Sequence, residues 1–199
     1  MKKQIADTRP VNSLLNGRFA FFKEFLKHPL QIGSIIPSSR FLEQRILGTS
    51  AIASATTIVE LGSGTGGTTR AILNAMPKGA RLLSIEINPH FHTLVSSIED
   101  ERLIAHLGSA SELKTIISMY GLDAPEAVIS GIPFSTMKAS EASQVIEAIS
   151  TLLAPNGRFV AYQVSRQVAT LCRPFLGPEQ MVMELLNIPP TRIYQWEKR

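Results

Sequence analysis

The 199-residue chain is poor in cysteine, with Cys172 alone. A single thiol excludes an internal disulfide and any cysteine-based metal cluster, so Cys172 is expected to be plain core filling in a cytosolic protein. No window approaches 18 uninterrupted apolar residues, which argues against a spanning helix. The N-terminus has no apolar h-region followed by a small-residue cleavage site, so a secretory signal is not expected. The four histidines form no ligand pattern: His90 and His92 are two apart and share no helix face, while His28 and His106 are isolated. No metal site is expected. Internal repeats and low-complexity tracts are also missing. What remains is a chain with 44% apolar and 18% charged residues, ordinary for a globular protein and long enough for one domain with its own core.

Charge is spread unevenly. Residues 1–48 hold eight Lys/Arg against three acids, a net of +5, whereas residues 49–199 hold twelve against thirteen, a net of −1. The basic excess therefore lies in the first quarter, which suggests an anionic partner for that arm, a membrane surface or a nucleic acid. The chain divides on this basis into an N-terminal arm with a covering segment, 1–48, and a core, 49–199, within one compact domain.

Apolar strand candidates recur after residue 57, at Thr57–Leu61, Arg81–Ile87, Leu103–Leu107, Ala127–Ile129 and Arg158–Ser165. Helical spacing fills the intervals at Thr65–Met76, Pro89–Ile98, Ala110–Tyr120 and Ala139–Leu153. This alternation predicts an α/β fold with a parallel sheet covered on both faces. The end of the chain departs from it: Gln180–Leu186 and Thr191–Lys198 are strand-like and separated by only four residues. So short a link holds no crossover helix, and the pair is expected to be antiparallel.

Upstream, Asn12–Lys27 reads as an amphipathic helix. Leu14, Leu15, Phe19, Phe21, Phe22, Phe25 and Leu26 share a face about 160° wide on a helical wheel, with Lys23 and Lys27 at its edges. Such a helix either packs its aromatic stripe on the sheet domain or lies in a membrane surface, apolar face down.

The most informative stretch is Ile58–Gly67, I-V-E-L-G-S-G-T-G-G. Glycine permits a tight turn and close approach of a ligand to the backbone, and the following helix points unpaired N–H groups at that turn. A nucleoside cofactor is the natural occupant. Gly62, Gly64 and Gly67 also satisfy the dinucleotide pattern G-x-G-x-x-G, so the glycines alone do not choose between cofactors. Glu60 before the turn could accept from a cationic amino group, which a dinucleotide lacks there; the alternative is an acid holding the turn's own backbone. About 57 residues precede the first strand, and the terminal hairpin suits a sheet other than the two-halved dinucleotide one. Together these favour S-adenosylmethionine.

E-L-G-S-G-T-G at 60–66 resembles the E/D-x-G-x-G-x-G motif of class I S-adenosylmethionine-dependent methyltransferases. That resemblance implies a Rossmann-like sheet of seven strands, mostly parallel, ending in an antiparallel hairpin. More narrowly, F-L-K-H-P-L-Q-I-G-S-I-I-P-S-S at 25–39, the glycine turn, I-S-G-I-P-F at 129–134 and N-I-P-P-T-R-I-Y at 187–194 are similar to bacterial phospholipid N-methyltransferases. Gly62, Gly64 and Gly66 with Glu60 are then expected at the donor. Glu86 ends the second strand, 26 residues after Glu60, where an acid can accept both ribose hydroxyls. Ser109 and Ala110 follow the third strand at the expected adenine contact; relatives often place Asp where Ser109 stands, and serine accepts without a full charge. Residues 33–39 carry three serines, and the resemblance implies a loop closing over the cofactor through Ser34 and Ser38. The plainer alternative is that Ser38 or Ser39 caps a helix beginning near Phe41.

Ser130-Gly131-Ile132-Pro133-Phe134 follows the fourth strand, in the crevice where open α/β sheets bind substrate. It resembles the N/D-P-P-Y/F loop of amino methyltransferases, with Ser130 in place of the polar first residue. The expected acceptor side is thus Ser130, Gly131, Ile132, Phe134 and Tyr162, with Phe134 and Tyr162 as aromatic faces for an ammonium. Tyr162 and the Ser130 loop are candidates for the base that an alkylamine needs, being mostly protonated at pH 7 with a pKa near ~10. The reaction implied is methyl transfer from S-adenosylmethionine to phosphatidylethanolamine, once or successively towards phosphatidylcholine. The enzyme would sit at the inner membrane face through residues 12–27, without nucleic acid. Two rivals remain: an RNA adenine N6-methyltransferase, and a non-catalytic membrane-associated protein that binds the cofactor.

Overall fold

A computed structural model describes residues 39–187 and 189–198. The expectations for residues 12–27, and those for Ser34 and Ser38, lie outside the described residues. Helices and strands are numbered within them.

The chain enters through α1, Arg40–Thr49, whose cap is Ser39: its hydroxyl accepts from the Leu42 N–H at 3.2 Å. The alternation then runs β1 (Thr57–Leu61), α2 (Gly67–Ala75), β2 (Arg81–Glu86), α3 (Pro89–Ser96), β3 (Leu103–Leu107), α4 (Leu113–Met119), β4 (Ala127–Ser130), α5 (Ala139–Leu152), β5 (Arg158–Gln163), α6 (Gln167–Leu176), β6 (Gln180–Glu184) and β7 (Thr191–Glu197). Short 3-10 turns at Ala110–Glu112 and Phe134–Thr136 follow β3 and β4. Seven strands form one sheet in the order β3-β2-β1-β4-β5-β7-β6. The first five are parallel, and β7 inserts between β5 and β6 antiparallel to both. This is the expected architecture. Helix α6 is an addition, since Pro174 within it and the β-rich flanks obscure its helical spacing.

The central strands are buried on both faces, as parallel strands between helix layers must be. Strand alternation sends Val59, Leu61, Leu83, Ile85 and Phe159 to one core with residues of α4, α5 and α6. Ile58, Leu82, Ile129 and Val160 go to the other, with Leu42 and Ile46 of α1 and Ile72 and Leu73 of α2. Trp196 of β7 stacks on Phe159 at 5.3 Å between ring centroids. Cys172 is fully buried in the first core, and burial pushes its thiol pKa up.

Because α1 buries Leu42 and Ile46 in the second core, the compact unit begins upstream of residue 49. The expected division at 48/49 therefore cuts through packed structure. Charge and composition do not register that α1 has an apolar face of its own.

Candidate functional site

The strands β1, β2 and β4 end side by side, and the glycine turn lies at their junction. Gly62, Gly64 and Gly66 have φ of 77°, 53° and 83°, in the left-handed region where a side chain is strained. The Gly62 N–H donates to the Ile85 carbonyl at 2.9 Å, which carries the β1–β2 ladder into the turn. A Cβ on Gly62 would lie 3.2 Å from Ile132 Cγ1, so β4's following loop packs directly against it. A Cβ on Gly64 would meet nothing within 4 Å among the described residues. Beside a wall that admits no side chain, the turn thus leaves open space.

Two acids support this turn in different ways. Glu86, at the end of β2, is nearly buried; its Oε2 accepts from the Gly64 N–H at 2.9 Å and its Oε1 from the Asn88 N–H at 2.9 Å. Each carboxylate oxygen keeps a further lone pair, so Glu86 both fixes the turn and can accept from a ligand. Glu60 shares the face of β1 that carries Ile58, toward α2. There its Oε2 accepts from Thr69 Oγ1 at 2.6 Å and from Ser84 Oγ, its β2 register partner, at 2.8 Å. Its Oε1 is buried with no hydrogen-bond partner among the described residues. Burial raises the Glu60 pKa to about 7, against the two hydroxyl donors, and the charge of Glu86 adds to the rise. An acid that only held the turn's backbone would spend its oxygens on N–H groups. Glu60 spends one on hydroxyls and leaves the other without a donor.

Ser109 caps the turn after β3, accepting from Ser111 N–H at 3.3 Å, and the preceding Gly108 N–H donates to the Glu86 carbonyl at 3.1 Å. That link keeps Ser109 and Ala110 beside the Glu86 strand end. Ala110 is buried in the first core.

The loop after β4 divides unlike the expectation. Its Gly131 N–H donates to the Leu61 carbonyl at 2.9 Å, and a Cβ on Gly131 would run into the Tyr162 hydroxyl. The Tyr162 ring therefore covers Gly131, while Gln163 Nε2 donates to the Ile132 carbonyl at 2.6 Å. Ser130 and Phe134 point elsewhere. Ser130 is fully buried and its hydroxyl accepts from the Ile132 N–H at 3.3 Å, so it shapes the loop rather than facing an acceptor. Phe134 is fully buried in the first core, on a short 3-10 turn, and offers no face to a cation. The Pro133 turn directs that ring inward, where apolar area is removed from water. Tyr162 is also corrected as a base: burial, then the Glu60 charge, hold its phenol pKa far above the usual value. It stays protonated, sharing a 3.4 Å hydrogen bond with Thr68 Oγ1, and stands as an aromatic wall.

Three groups here carry no sequence signal of their own. Gln163 is nearly buried and its Oε1 has no partner among the described residues, and the same holds for the buried hydroxyl of Ser63 within the turn. Glu43 comes over the start of α2 from α1: a Cβ on Gly67 would lie 3.0 Å from its Oε1, and desolvation raises its pKa. A helix-capping serine upstream hints at α1, but nothing in its spacing reveals that Glu43, its one acid, turns toward the start of α2. Buried polar atoms without a partner among the described residues, near left-handed glycines and a helix start, fit a ligand that brings cationic and hydroxyl donors. S-adenosylmethionine has both, and Glu60, Ser63, Gly64 and Glu86 are the groups that could hold it.

No family model matches the sequence. The chain is 27% identical over 179 residues to an ornithine lipid N-methyltransferase of Singulisphaera acidiphila, spanning 88% of this chain and 93% of that protein. Among solved structures, it is similar to the N-methyltransferase NodS from Bradyrhizobium japonicum, with TM-score 0.67 at 13% identity over 81% of this chain and 97% of that one. It is equally similar to an O-methyltransferase from Bacillus cereus in complex with SAH, TM-score 0.67 at 14% identity over 96% and 94%. The fold is therefore the Rossmann-like fold of class I methyltransferases.

Proposed function

We infer that the protein is an S-adenosylmethionine-dependent N-methyltransferase whose acceptor is the primary amine of a membrane lipid. The observation that carries this reading is the left-handed glycine turn at the end of β1. A Cβ on Gly64 meets nothing within 4 Å among the described residues, and Glu86 binds the Gly64 N–H. The buried Glu60 Oε1 has no partner among the described residues, and the Gly131–Tyr162 wall stands at the adjoining strand end. S-adenosylmethionine supplies an already activated methyl group, so positioning is the main task left to the protein. In this reading Glu60 accepts from the donor's amino group and Glu86 from its ribose hydroxyls, with Ser109 and Ala110 near the adenine. Gly131 and Ile132 border the acceptor amine, and the Tyr162 ring faces it as a neutral aromatic surface. No described group is held as a strong base at the Gly131 wall. The amine is therefore expected to lose its proton to water on entering.

The finer identity of the lipid rests on two separate supports. The sequence resemblance favours phosphatidylethanolamine, and the Singulisphaera relative bears the name of an ornithine lipid enzyme. Both headgroups present an alkylamine. Labelled donor incubated in parallel with vesicles of each lipid and with RNA separates the possibilities. Label in a lipid fraction is expected, and the fraction that carries it names the headgroup. Label in RNA alone, or donor binding with no transfer, refutes the lipid reading.

A further inference from the structure

The turn joining β6 to β7 is built inside out for a surface loop. Its polar side chains face inward: Glu184 is buried and accepts from the Leu186 N–H at 2.9 Å and from Arg45 Nε at 2.9 Å. Asn187, also buried, accepts from the Ser39 N–H at 3.1 Å and donates to Thr191 Oγ1 at 2.9 Å and the Pro189 carbonyl at 3.0 Å. Its two adjacent leucines face out, Leu185 being 70% and Leu186 63% exposed. A single exposed leucine is ordinary, but two together on a turn fastened at both ends are not explained by packing.

The position of this turn narrows its purpose. β7 runs antiparallel to β5 with Arg192 opposite Gln163, and β6 ends with Glu184 opposite Thr191. The turn therefore lies at the carboxyl end of β5, the end of the sheet that carries Tyr162 and the Gly131 wall. Val164, the first residue beyond β5, is 47% exposed, and the Arg192 guanidinium donates to its carbonyl. Arg166 follows, exposed, and Arg40 is exposed next to the Ser39 that binds Asn187. Segments 164–166 and 185–192 contain no acid, and Glu184 beside them is engaged by Arg45. The rim is apolar at its tip and cationic at its margin.

We propose that this rim, with Leu185, Leu186 and Val164 inserted and Arg40, Arg166 and Arg192 at headgroup level, docks the protein on an anionic lipid bilayer. Cations flanking a small apolar tip match the negative surface and the hydrocarbon beneath it. The surface is additional to residues 12–27, and it sets the acceptor crevice facing the bilayer. It rests on the reading that the acceptor is a membrane lipid.

The full chain and its L185S/L186S variant are sedimented with phosphatidylglycerol–phosphatidylcholine vesicles and with pure phosphatidylcholine vesicles. The variant is expected to bind anionic vesicles at least tenfold more weakly, with an unchanged melting temperature and unchanged affinity for S-adenosylhomocysteine. R166E is expected to weaken binding about threefold on anionic vesicles and not on neutral ones. Methyl transfer to vesicle-borne amino-lipid should fall with vesicle binding, while transfer to a short-chain, monomeric amino-lipid persists. Equal sedimentation of wild type and both variants overturns the proposal. So does a wild-type dimer in light scattering that L185S/L186S converts to monomer, since the leucines then meet a second copy. Leucine-dependent sedimentation by a protein that methylates no lipid upholds the docking surface and removes only the acceptor reading.

Discussion

At the scale of single residues, Glu60 is the group on which stability and donor binding pull in opposite directions. Its carboxyl has a pKa of about 7 in the folded protein against the ordinary 4.5, chiefly through burial. The folded state therefore holds this proton more tightly, and stability falls as pH rises from about 4.5 through about 7. Above that window the deprotonated group costs on the order of 3 kcal/mol, a cost that glutamine does not carry. Glu60→Gln is accordingly expected to match wild type in thermal melts near pH 4.5 and to exceed it at pH 8. Only the carboxylate draws a cationic amino group, so wild-type affinity for S-adenosylhomocysteine should rise as pH passes 7. In the glutamine variant the profile should be flat and about tenfold weaker by calorimetry at pH 8. A flat wild-type profile would take Glu60 out of the donor site. The positions of Glu60 and Glu86 beside the glycine turn are legible in the chain because a strand, a glycine turn and a strand-end acid impose their own geometry. Ser130 ends a strand and Phe134 follows it in the same way, yet both turn inward. Nothing local distinguishes an inward from an outward side chain once a proline turn intervenes.

At the scale of elements, α1 is held over the glycine turn from its far side by Asn187, which belongs to the last hairpin. Asn187→Ala leaves the Ser39 N–H without its acceptor and removes the amide donor to Thr191 Oγ1 and the Pro189 carbonyl, with an expected loss of about 1–3 kcal/mol. Chemical denaturation should show a lower midpoint with an unchanged slope. Donor affinity should weaken as well, because α1 carries Glu43 over the start of α2. The start of α1 is readable from its capping serine, whereas its tether to a residue 148 positions away is not. Helix α6 escapes a local reading for a different reason. Pro174 interrupts its sequence signal, but it lies near the helix end, where Gly177 closes the element at φ 76°. Pro174 removes one ladder bond, to the Thr170 carbonyl, and the helix ends two residues later.

At the scale of the whole molecule, the net charge of +4 is the sum of a basic first quarter and a slightly acidic remainder. Among the described residues no helix is long and apolar enough to cross a membrane. Vesicle binding is expected to fall steeply with added salt, as the screening length shrinks from about 30 Å at 0.01 M to about 8 Å at 0.15 M. Phe22→Glu, on the aromatic face read from residues 12–27, should weaken sedimentation independently of L185S/L186S. Combining the two should then lower it by the product of the separate factors. A Phe22→Glu protein that sediments like wild type removes the interfacial role of that segment and leaves the hairpin rim to account for binding.

The sequence by itself determined the alternation that makes a mostly parallel sheet, its terminal antiparallel pair, and the glycine turn with its two acids. Each of these follows from short-range rules: strand alternation, crossover length, and the dihedral freedom of glycine. The order of the strands came from the tertiary structure. Only the tertiary structure decided which side chains face the crevice. It turned Ser130 and Phe134 into the protein, kept the Tyr162 phenol protonated, brought Glu43 over the turn, and set Leu185 and Leu186 on the rim of the crevice. Those outcomes depend on contacts between segments far apart in the chain, where burial and desolvation act, and no local pattern encodes them.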